Sequence, residues 1–188
     1  MLTAFLVSFG VIFVAELGDK SQLMALAFAT RFPIGPVLIG ITIATGIVHA
    51  VSVAVGAVLG AALPTRPITI VAALAFVAFG LWTLRGDKLT EQERQRAERP
   101  ARNTVLAVGL VFFLAELGDK TMLATITLAT NHGVIGTWLG STIGMVAADG
   151  LAIVVGRQLG ARLPERAVKV GASVTFFVFA VVLFVDAL

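Results

Sequence analysis

Ala15-Glu16-Leu17-Gly18-Asp19-Lys20 and its second copy, Ala115-Glu116-Leu117-Gly118-Asp119-Lys120, are the stretches on which the fold turns. Each sits inside a long apolar run. A charge at the centre of a bilayer costs roughly 2.5–3.5 kcal/mol on insertion scales. Three ionisable groups placed there twice over need a reason, and holding a cation inside the membrane is the simplest.

The surrounding composition sets the class. Apolar residues make up 58% of the chain and charged residues 13%, with a mean hydropathy of +0.99. Soluble domains hold roughly twice that share of charge. A spanning helix needs about 20 apolar residues. The 188 residues therefore predict an all-α integral membrane protein of six transmembrane helices, over about 2–30, 35–63, 67–85, 103–130, 134–162 and 166–187. Pro33, Pro36, Pro64, Pro67 and Pro164 mark the loops. The first apolar run lacks a basic leader and outlasts a signal peptide, so it is read as a retained span. The net charge of +3 and a pI near 10.0 do not indicate nucleic acid, because the basic residues flank apolar segments. The absence of cysteine excludes disulfides, iron–sulfur clusters and thiolate metal sites.

The two motif copies belong to a longer repeat. Between 15–30 and 115–130, 9 of 16 residues are identical, and 6 of 9 match between 56–64 and 156–164. The polar stretch 86–102 separates a first three-helix unit, 1–85, from a second, 103–188, within one transport domain; its Glu-rich centre reads as a short surface helix. Three spans per unit is an odd number, so the second unit enters the membrane the other way up. Inverted-topology repeats of this kind place a substrate between the two halves. Arg31, Arg85, Lys88, Arg94, Arg96, Arg99, Arg102, Arg157, Arg162, Arg166 and Lys169 fall on one side, and Arg66 alone on the other. This puts the linker in the cytoplasm and both termini outside.

Counting places Glu16 and Glu116 at the middle of their spans. On unbroken helices, Glu16, Asp19 and Lys20 would share a face, as would Glu116, Asp119 and Lys120, while Gly18 and Gly118 loosen the helix locally. Inversion then gathers four carboxylates, which are hard oxygen ligands suited to Mg²⁺, Ca²⁺ or Mn²⁺. Ser21 and Thr121 add hydroxyls that ligate or cap freed backbone, and Gln22 adds an amide oxygen where the second copy has Met122. His49 and Asp149, at the same offset of 100, bring a titratable ring and a fifth carboxylate. Glu16, Asp19, Glu116, Asp119 and Asp149 against Lys20 and Lys120 leave a charge of −3 with His49 neutral. A divalent ion plus a proton would offset it. Metal arrival would displace protons and protons would displace metal, the logic of cation/proton exchange.

The glycine pairs 56/60 and 156/160 and the run 136/140/144 have the small-residue spacing of helix packing in lipid. Glu16–Lys20 and Glu116–Lys120 as mere intramembrane glue is the plain alternative, disfavoured by duplication at matching depth. An intramembrane phosphatase-type enzyme would need an Arg cluster or a Ser/His nucleophile beside the carboxylates. An amino-acid exporter would need a roomier site with both an ammonium and a carboxylate subsite. A passive channel stays open as an alternative.

With Glu16-Leu17-Gly18-Asp19-Lys20-Ser21 and Glu116-Leu117-Gly118-Asp119-Lys120-Thr121, the chain resembles the Gdt1 family, also called UPF0016, within the LysE transporter superfamily. The family pattern is Glu-x-Gly-Asp-Lys/Arg-Ser/Thr, present twice, and the likeness covers essentially the whole chain. The resemblance implies export of Mn²⁺, or of Ca²⁺, in exchange for protons, with a metal ion as substrate and no resident cofactor. It also implies a bacterial inner-membrane location. Met122, where a glutamine is expected, is the one departure.

Overall fold

A computed structural model describes residues 1–85, 90–98, 101–159 and 165–188. Lys88, Arg99, Arg162, Gly160 and Pro164, singled out above, lie outside the described residues. Among the described residues the chain is all helix: α1 (Leu2–Glu16), α2 (Lys20–Arg31), α3 (Ile34–Ala62), α4 (Thr65–Arg85), α5 (Glu91–Glu98), α6 (Thr104–Glu116), α7 (Lys120–Asn131), α8 (Val134–Leu159) and α9 (Glu165–Ala187). Pro36 and Pro67, expected in loops, lie in the first turns of α3 and α4, where a missing N–H costs nothing. The linker helix is present as α5.

Four of these helices hold stretches long and apolar enough to cross a membrane: Ile34–Ala62, Thr65–Arg85, Val134–Gly156 and Lys169–Ala187. The pair α1–α2 passes the same test jointly, but with a bend of 73° between its arms. α6 is apolar but short. The chain is a multi-pass helical membrane protein.

The expectation of unbroken helices over 2–30 and 103–130 is overturned, and the motif itself is the cause. Leu17 takes φ −62°, ψ 119°, and Gly18 follows at φ 75°. Asp19 N–H then donates to the Glu16 carbonyl at 3.1 Å. This is a type II turn, which requires positive φ at its third residue and therefore selects glycine. Leu117 (φ −65°, ψ 113°), Gly118 (φ 80°) and the Asp119-to-Glu116 bond of 3.2 Å repeat it. α2 and α7 restart with Asp19 and Asp119 as their N-caps.

The two halves interleave. α1 packs on α8 and α6 on α3; α2 packs on α8 and α7 on α3; α4 packs on α9. The glycines expected to mediate packing do so where they are described. A Cβ on Gly136 would stand 2.8 Å from that of Ala4, and one on Gly144 would stand 2.8 Å from the Phe9 carbonyl oxygen. Gly60 and Gly156 meet Thr130 and Leu26 as closely. One core cluster joins Phe28, Val37, Ile41, Val108, Phe112 and Ile153, and a second joins Ile12, Phe76, Phe79, Met145 and Phe176. Ile39, Ile43, Ile47, Val51 and Val55 form an exposed stripe at helical spacing along α3, the outward apolar face that lipid requires.

Candidate cation site

The two turns bring the motif residues together by a route that an unbroken helix would not provide. Glu16 and Glu116 close α1 and α6, whereas Asp19 and Asp119 open α2 and α7. The acid–base partners therefore do not stack on one helix face. They cross between the halves: Lys120 Nζ lies 2.5 Å from Asp19 Oδ1, and Lys20 Nζ lies 3.2 Å from Asp119 Oδ1. Neither Asp side chain caps its own helix.

Each half then repeats the same local bonds. Ser21 Oγ donates to Glu16 Oε2, and Thr121 Oγ1 donates to Glu116 Oε2 at 3.1 Å. The Gly18 N–H donates to Gln22 Oε1 at 2.8 Å, and the Gly118 N–H donates to Met122 Sδ at 3.2 Å. Met122 thus does the turn-holding work of Gln22 with a weaker acceptor. Gln22 Nε2 also donates to the Ala148 carbonyl at 2.7 Å, tying α2 to α8 beside Asp149.

The carboxylates converge. One oxygen from each of Glu16, Glu116 and Asp119 lies within 4.8 Å of the others, and all three residues are buried. That spacing matches the width of an oxygen shell around a hard divalent ion, roughly 4–5 Å across. Asp149 is buried too, and its charge acts on both Glu16 and Glu116. Glu16 Oε1, Glu116 Oε1, Asp119 Oδ2 and both Asp149 oxygens have no hydrogen-bond partner among the described residues. Buried acceptors without donors are costly, and a cation or protons would satisfy them. His49 is buried but not among the three closest ligands; its Nδ1 lies 3.3 Å from Thr142 Oγ1 on α8. Thr142 was not anticipated, because its only sequence signal is a threonine in an apolar run.

Helices that bury a cluster of carboxylates inside an apolar bundle define a multi-pass membrane protein with a candidate cation site. Comparison with known proteins names the family. Residues 4–91 and 104–188 match the family described as divalent cation/proton antiporter GDT1, and the chain belongs to it. A GDT1-like protein of Synechocystis sp. is 32% identical, with 97% of each chain covered. A Vibrio cholerae protein named "Putative manganese exporter" is 29% identical over 96% of this chain and 90% of its own length. Protein PAM71, chloroplastic, of Arabidopsis thaliana is 32% identical over 96% of this chain and 56% of its own length. No solved structure matches the chain. Members of this family are cation transporters and not enzymes, so the chain is a divalent cation transporter and the phosphatase-type alternative falls.

Proposed function

We propose that the protein exports Mn²⁺, with Ca²⁺ as a second substrate, in exchange for protons. Glu16, Glu116, Asp119 and Asp149 are the ligands, and Asp19 shares the site through its ion pair with Lys120. The observation that carries this reading is the set of buried carboxylate oxygens without donors on Glu16, Glu116, Asp119 and Asp149. Hard oxygens favour Mn²⁺, Ca²⁺ and Mg²⁺ over softer metals, and the name of the Vibrio cholerae relative favours manganese.

The charge sum is −3, so a divalent ion leaves one negative charge for a proton. Lys20 and Lys120 hold the aspartates in place, and Ser21 and Thr121 orient the glutamates so that the second oxygen of each turns to the ion. Gln22 holds the first turn and lends its remaining lone pair to the site. His49 acts as a proton-linked neighbour through Thr142.

The architecture we assign is six spans in two inverted three-helix repeats, 1–85 and 103–188, joined by the linker 86–102. Its support is the pairing of contacts, α1 on α8 with α6 on α3 and α2 on α8 with α7 on α3. Two identical turns at an offset of 100 add to it. The distribution of Lys and Arg supports a cytoplasmic linker with both termini outside, and we assign the protein to a bacterial inner membrane.

Metal flux in vesicles containing the purified protein tests the reading. Mn²⁺ should move against an imposed pH gradient and acidify the opposite side. Glu16→Gln and Glu116→Gln should abolish the movement. Normal flux in both variants would defeat the site assignment, and flux indifferent to the pH gradient would favour a channel.

A further inference from the structure

The two seams that lead to the carboxylates differ in kind. α8 carries Thr137, Ser141, Met145 and Asp149 at four-residue spacing on one buried ridge. α1 carries Ser8, Ile12 and Glu16 in the same way. The two helices run parallel in close contact. A Cβ on Gly136 would meet Phe5 N at 3.1 Å, one on Gly140 would meet Phe9 N at 3.0 Å, and one on Gly144 would meet Phe13 N at 3.2 Å. That register sets Ser8 level with Ser141, Ile12 level with Met145 and Glu16 level with Asp149. Ser8 lies eight residues before Glu16, about 12 Å along the axis.

The hydroxyls of Ser8, Thr137 and Ser141 are buried and have no hydrogen-bond partner among the described residues. Thr83, Thr125 and Ser173 are in the same state on α4, α7 and α9, while other helix hydroxyls bond back to their own helix. Thr42, Thr45, Ser52, Thr69, Thr127 and Thr175 all donate to the carbonyl four residues back, the ordinary solution in an apolar helix. The equivalent seam of the other half is apolar over the same stretch. At the matching positions α3 has Val37, Ile41, Thr45 and His49, and α6 has Val108, Phe112 and Glu116, with Thr45 bonded back to Ile41. Val37, Ile41, Val108 and Phe112 belong to one core cluster.

We propose that hydrated cations reach the carboxylates along the α1–α8 seam, through a hydroxyl-lined route of Ser8, Thr137 and Ser141 that Ile12 and Met145 close from the site. In this structure the α3–α6 seam is sealed by Val37, Ile41, Val108 and Phe112. Unpartnered buried hydroxyls are the groups that water or a partly hydrated ion satisfies, and a path needs several in succession. The cargo named here rests on the transport reading, but the route does not.

The chain has no cysteine, so single thiols can be placed without background. Ser8→Cys, Ser141→Cys and, on the sealed seam, Val108→Cys and Ile41→Cys would be made in the full chain in vesicles. A small membrane-impermeant cationic methanethiosulfonate would be applied to the first pair from the side where α1 begins and to the second pair from the side where α6 begins. The first two should react severalfold faster than the last two, and Mn²⁺ should slow their reaction. Equal reactivity at all four positions would overturn the route. Ser141→Val should cut Mn²⁺ flux while Ser141→Thr keeps it; equal flux in both would count against a role for the hydroxyl. Labelling as expected without any cation flux would leave the route standing and defeat the transport reading instead.

Discussion

Breaking the two crossed ion pairs should have unequal effects, and the inequality follows from burial. The Lys120 side chain is 3% exposed and its partner Asp19 is fully buried, at 2.5 Å. Lys20 is 18% exposed, and its partner Asp119 lies at 3.2 Å. Removing one member of a buried pair strands a charge in low dielectric, which costs about 3–5 kcal/mol. A partly solvated pair is worth less, because water screens what remains. Lys120→Gln also takes the cluster from −3 to −4, drawing the carboxylates apart. For a chain of this size each kcal/mol lowers the melting temperature by about 2–4 °C, so Lys120→Gln should melt roughly 6–20 °C below the parent. Lys20→Gln should lose clearly less. Adding Asp19→Asn to Lys120→Gln should recover part of the loss, because no charge is then stranded. Thermal unfolding of the purified protein in detergent, followed by Trp82 and Trp138 fluorescence, measures all three. The reasoning fails if Lys120→Gln is no worse than Lys20→Gln, or if the double variant melts lower than the sum of its singles.

The remaining expectations are quickly stated. Gly118 has open space around its missing Cβ but a φ of 80°, so Gly118→Ala should cost about 1–2 kcal/mol through backbone strain alone. Gly118→Asn should cost less, and equal losses in a melting experiment would remove the turn explanation. Gly136→Val should lose about 1–3 kcal/mol by overpacking against Ala4, whereas Gly133→Ala, with nothing nearby, should melt like the parent. Asp149→Asn should weaken Mn²⁺ binding, read by calorimetry, more than His49→Gln does, because both Asp149 oxygens are buried without a partner among the described residues whereas His49 already meets Thr142.

Much of the candidate site was legible because charge in an apolar run can be read from composition alone. The offset of 100 tied Glu16 to Glu116 and His49 to Asp149 before any coordinates. The breaks after α1 and α6 were written in Leu-Gly-Asp, where glycine best suits the third position of a type II turn. The long apolar run around it carried the stronger helical signal and concealed it. The shared role of Gln22 and Met122 was hidden for another reason: an amide and a thioether look unlike, and only the Gly18 and Gly118 N–H groups show that each is used as an acceptor. The ridge from Thr137 to Asp149 was visible as four-residue spacing, but nothing in the chain said that α1 lies parallel beside it.

The sequence by itself determined a helical membrane protein, duplicated and built around buried carboxylates, because hydropathy, repetition and the cost of burying charge are local properties of the chain. Which groups meet was decided by the tertiary structure. Asp19 pairs with Lys120, a lysine 101 positions away. That choice follows from a turn that redirects each helix and from the docking of one half on the other, and both act between residues that the linear order keeps apart.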